Sequence, residues 1–182
     1  MPFTKDTKEN PMTENENKAQ ATEHSKKHLK EILESFDAAM MVTSGNGGKV
    51  HSRPMMIAAR DGESVLWFST SKSSLKAKEL QADPEMSLAL QSARAFVSLV
   101  GHAELVDDRA RIDQLWNESW KVWFPKGKED PDLALIRFTA REAEYWDIQG
   151  AKGIRYLFEA AKAYLQGERP DAVDGAHGTV RT

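Results

Sequence analysis

Residues 38–70 read AAMMVTSGNGGKVHSRPMMIAARDGESVLWFST, three strand-like apolar runs parted by two turn signals. Gly45, Asn46, Gly47 and Gly48 supply the positive φ of a tight hairpin, and Asp61 with Gly62 does the same for the next. Strands joined by consecutive hairpins lie antiparallel. This stretch therefore decides against a parallel α/β sheet.

Outward from it the same grammar continues. Upstream, EHSKKHLKEILESF from Glu23 spaces Leu29, Ile32, Leu33 and Phe36 as one apolar stripe, which predicts an amphipathic docking helix. Downstream, the spacing predicts a helix over 73–82 that Asp83 and Pro84 end, then strands EMSLALQ and AFVSLVGHAELV, with a bulge or bend at Gly101. A helix from Asp107 or Asp108 carries Ile112, Leu115 and Trp116, and the loop KVWFPKGKEDPD leads into strands LALIRFTA and EAEYWDIQ. A last helix carries Ile154, Leu157, Phe158, Ala161 and Leu165. About seven strands with helices only at intervals predict a mainly β fold with flanking helices, an antiparallel barrel.

The expected organisation is a mobile polar leader over residues 1–22, one domain over 23–167 and a polar tail over 168–182. A chain of 182 residues with 40% hydrophobic and 29% charged residues suits a single compact unit. Its net charge of −3 offers no broad positive field for a nucleic acid. With no cysteine there is no disulfide, thiolate metal site or cysteine nucleophile, which fits a cytoplasmic location. No apolar run predicts a membrane span. His51 and His102 form no metal-ligand pattern, so no metal is expected.

Chemistry concentrates where the third strand ends, in WFSTSKSSLKAKEL at 67–80. Ser73 reads as the N-cap of the following helix, Ser69, Thr70, Ser71 and Ser74 add hydroxyls, and Lys72 and Lys76 bring charge to the same helix end. A helix N-terminus so equipped can hold one phosphate group. The same residues also describe an ordinary cap with solvated lysines. Arg53 offers a planar fork that suits phosphate. Pro54 cannot donate to a ladder, so it is expected to interrupt its strand and free backbone groups for a flat heteroaromatic ring. Trp67 and Trp116 sit at core spacings, whereas Trp123, Phe124 and Pro125 lie in a loop where apolar residues need a cover, either a bound ligand or a second subunit.

SRPMM at 52–56, WFSTSKSSLKAKELQADPEMSLAL at 67–90, GHAEL at 101–105 and EAEYWD at 142–147 together resemble the pyridoxamine 5′-phosphate oxidase-like proteins. These are FMN-binding split β-barrels, and the likeness is greatest to their general stress protein branch. The resemblance implies a homodimer with FMN, or FAD, at the interface, serving a small-molecule electron donor or acceptor. It implies that Arg53, Thr70, Ser74 and Lys76 contact the flavin phosphate, with Ser69, Ser73 and Lys72 in the same turn. Pro54, Met55 and Met56 would flank the ring, and Trp146 would approach from the second subunit. Ala58, Leu75 and Phe96 replace residues of the oxidases, and DIQGAKGIRY lacks their Arg-x-His grip on pyridoxal phosphate. The resemblance thus implies a redox flavoprotein of another substrate, or a flavin binder that stores, senses or scavenges, rather than a vitamin B6 oxidase.

Overall fold

The computed structural model describes residues 14–147 and 177–181. Helix α1 (Glu14–Glu34) leads into strands β1 (Ala38–Ser44), β2 (Val50–Met56), β3 (Ala59–Asp61) and β4 (Val65–Ser71). Helix α2 (Leu75–Ala82), strands β5 (Glu85–Gln91) and β6 (Ala95–Val106), helix α3 (Arg109–Leu115) and strands β7 (Leu133–Asp147) and β8 (His177–Arg181) follow.

All strand pairs are antiparallel, in the order β2-β1-β5-β6-β7-β4-β3, with β8 added to β7. The two ends of that order, β2 and β3, are joined through Ile57 and Ala58 alone, so the sheet has to curl on itself into a half-barrel. No ladder closes the seam between β2 and β4 among the described residues. The architecture is mainly β, the antiparallel barrel that the hairpins predict, left open at one seam as the split barrel that the resemblance implies.

The strand expected over KVHSRPMMIAAR is broken, but not at Pro54. Pro54 pairs with Met40 inside β2, where an end strand tolerates the missing N–H. The break falls at Ile57, whose amide turns to the Asp37 carbonyl (2.9 Å), and at Ala58, which donates to Trp67 (2.7 Å). The chain thereby leaves β1 for β4. In the first hairpin the positive φ is carried by Gly47 and Gly48, at 72° and 74°, and in the second by Gly62.

LALIRFTA and EAEYWDIQ form one strand rather than two. β7 runs continuously along β6 because a bulge absorbs the irregularity: Val100 pairs with Glu142 and Gly101 with Ala140, leaving Arg141 extra. β8 comes from residues expected to be tail; its register on β7 sets the buried Val180 against Ala143. α1 begins at Glu14, so it includes residues 14–22 of the expected leader, whose Glu, Lys, Ala and Gln favour helix without an apolar stripe. The helix expected around Ile154 to Leu165 lies outside the described residues.

The core has two parts. Inside the curl, Met41, Phe68, Leu88, Leu99, Ile136 and Phe138 are buried, and α1 covers them with Leu29, Ile32, Leu33 and the following Phe36. Arg60 caps this helix by donating to the Leu33 carbonyl (3.2 Å) and to that of Phe36. On the other face of β4 and β7, Trp67, Leu133 and Leu135 pack under Ile112 of α3 and under Trp120 and Phe124 of the loop that follows. β4 is buried on both faces, which accounts for its unbroken VLWF run.

Candidate flavin site

A cleft of about 640 Å³ occupies the seam that the ladder leaves open, within the range of small-molecule sites. One wall is the free side of β2 and the following turn, Arg53 to Ala58; the second is Ser69, Thr70 and Ser71 at the end of β4, with Lys76 of α2; the third is the loop from Leu115 to Phe124. The cleft is polar where β4 meets α2 and apolar where Met55, Met56, Trp120, Trp123 and Phe124 converge.

At the polar end the true N-cap of α2 is Ser74, whose hydroxyl accepts from Ala77 N at 3.3 Å. Ser73, expected to cap, is instead held outside the cleft: its amide and hydroxyl donate to Asp132 at 2.9 and 3.0 Å. The Ser71 hydroxyl also donates to Asp132. Lys72 points away as well, pairing with Asp107 at 2.5 Å. Thr70 is buried and turned toward Ser74, their oxygens 3.3 Å apart.

Arg53 and Lys76 are the cations of the cleft wall. Arg53 is fixed from behind: Nη1 donates to Thr43 Oγ1 at 2.5 Å and Nη2 to Glu79 Oε2 at 3.0 Å. Lys76 has no acid partner among the described residues. Burial, and then the charge of Arg53, lower its pKa. Two converging cations, one without a counter-charge, form an electrostatic arrangement that an anion completes.

Of the residues singled out in the sequence, the cleft gathers Arg53, Pro54, Met55, Met56, Ser69, Thr70 and Lys76. Ser74 supports it as the cap, whereas Lys72 and Ser73 are directed elsewhere. Trp146 is not in the cleft of its own chain. It stands opposite Phe96 on the outward face of the sheet, 41% exposed. Glu79, Asn117, Ser119, Trp120 and Val122 were not singled out. A signal existed for Glu79, three residues after Lys76 and so on the same face of α2.

The pyridoxamine 5′-phosphate oxidase like family model matches residues 24–171, so the chain belongs to this family. Its fold is shared with solved structures. The general stress protein 26 of Jannaschia sp. is 29% identical, with a TM-score of 0.67 over 88% of this chain and 99% of that one. The general stress FMN/FAD binding protein of Xanthomonas citri is 31% identical, with a TM-score of 0.59 over 69% of this chain and 92% of that one. None of the curated proteins matches the chain.

Proposed function

We propose that this protein is an FMN-binding redox protein of the general stress branch, holding the flavin in the seam cleft. The observation that carries the reading is the pairing of Arg53 with an uncompensated Lys76 beside the N-terminus of α2. The donor set fits a phosphate: a planar fork, an ammonium, the Thr70 hydroxyl and the first amides of a helix. Met55, Met56 and the aromatic loop line the rest of the cleft, where the ring would lie. Bound FMN would supply electron transfer, and FAD is the alternative flavin.

The reading includes a homodimer. Met40, Phe96, Val100 and Trp146 are all exposed on strands of the sheet, an apolar face of the kind a second copy covers. Trp146 lies on that face, which supports its reaching a partner's flavin. The absence of cysteine and of a helix long and apolar enough to cross a membrane, among the described residues, supports a working place in the cytoplasm.

The visible spectrum of the purified protein, with chromatography of what heat releases, tests the cofactor: FMN near one per chain supports the reading. A colourless protein that takes up neither FMN nor FAD ends it. Flavin reduction by a small-molecule donor such as NADH or NADPH, followed by reoxidation, would place the protein among oxidoreductases. A second reading, a flavin binder without turnover, is favoured by the missing Arg-x-His after Trp146. Rapid NADH or NADPH oxidation contradicts it.

A further inference from the structure

The geometry points to Glu79 as a positioning residue that fixes Arg53 in the cleft wall and thereby sets the preference for a phosphorylated flavin. The inference rests on the flavin reading above. Glu79 is 6% exposed on the inner side of α2 and takes no place in the cleft lining. Its carboxylate accepts from Thr43 at 2.6 Å, from His51 at 2.5 Å and from Arg53 at 3.0 Å. Thr43 also accepts from Arg53, so Thr43 and Glu79 hold two nitrogens of one guanidinium.

An arginine side chain left free on an edge β-strand samples many rotamers, and ordering it on binding costs affinity. Here Thr43 and Glu79 supply that ordering from within the protein. Two terminal nitrogens are tied behind, which leaves Nε and the remaining N–H bonds as the donors available to the cleft. Lys76 and Glu79 share a helix face, so one short helix sets both cations: Lys76 directly, Arg53 through the carboxylate.

Charge and position make opposite predictions for this site. A carboxylate near a phosphate repels it, so if Glu79 acted by charge alone its removal would tighten FMN binding. If it acts by holding Arg53, its removal weakens FMN and leaves riboflavin, which has no phosphate, unaffected.

The test is the FMN to riboflavin affinity ratio, from fluorescence titration of the full-length apoprotein with each flavin. Glu79→Leu is expected to lower the ratio about tenfold or more, the loss that accompanies a displaced charge-assisted hydrogen bond, with riboflavin affinity unchanged. In an Arg53→Gln background the same substitution should leave the ratio unaltered, because the group it acts through is gone. If Glu79→Leu does not fold, Thr43→Val carries the test in the same direction. An unchanged ratio, a higher ratio, or equal weakening of both flavins overturns the inference while leaving the flavin reading intact. A wild-type protein that binds FMN and riboflavin equally overturns the inference, and one that binds neither overturns both.

Discussion

Gly101 and Thr139 are in such close contact across the β6–β7 bulge that a Cβ on residue 101 would stand 2.1 Å from the Thr139 carbonyl oxygen. The obstruction is backbone, which cannot swing aside as a flexible side chain can. Gly101→Ala should therefore destabilise the fold by about 1–3 kcal/mol, as overpacked substitutions do. In a chain of this size that lowers Tm by roughly 2–4 °C per kcal/mol, measurable by calorimetry. An unchanged Tm would mean that the two strands do not approach this closely.

Lys76 exchanges stability for binding. Burial and the Arg53 charge lower its pKa, so the folded protein holds this ammonium less favourably than the unfolded chain does. Lys76→Met should raise the Tm of the flavin-free protein and weaken FMN, while riboflavin binding stays near wild type. A lower Tm without flavin would show that Lys76 supports the fold instead.

Acid should weaken the site through Glu79. Burial opposes its ionisation, but hydrogen bonds from Thr43, His51 and Arg53, with the His51 charge, prevail and hold its pKa below the ordinary 4.5. A carboxyl depressed on folding contributes stability above its unfolded pKa and loses it as pH falls through the folded value. Unfolding and flavin release should therefore set in below about pH 4.5, and Glu79→Gln should lessen the pH dependence of stability in that window. Urea midpoints between pH 3 and pH 6 measure it; identical slopes for the two proteins would contradict it.

Asp132 ties down the turn that precedes α2. The Ser71 hydroxyl lowers its pKa; burial acts against this, and the amide and hydroxyl of Ser73 lower it further. Asp132→Ala should cost about 1–3 kcal/mol and speed hydrogen exchange at the Ser73 amide, which donates to it. Unchanged exchange there would remove Asp132 as the anchor.

The features legible in the sequence are those with a local cause. The α1 stripe, the glycines of the first hairpin and the irregularity at Gly101 are each written within a few residues. Arg53, Thr70 and Lys76 lie farther apart in the sequence, and the seam between β2 and β4, with the start of α2, brings them together. What escaped reading is set by distant partners. Lys72 and Ser73 look like phosphate donors until Asp107 and Asp132, 35 and 59 positions on, claim them. The strand switch at Ile57 has no Gly or Asp to announce it, because the barrel's curl imposes it. HGTVR holds one buried apolar residue, too few to show strand alternation, and relies on the ladder of β7.

The most direct measurement is flavin stoichiometry in the wild-type protein beside the Arg53→Ala/Lys76→Ala double variant, both folded by circular dichroism and saturated with FMN before gel filtration. Near one FMN per chain is expected in the wild type and almost none in the variant. Equal retention in both would contradict the placement of the phosphate between these two cations.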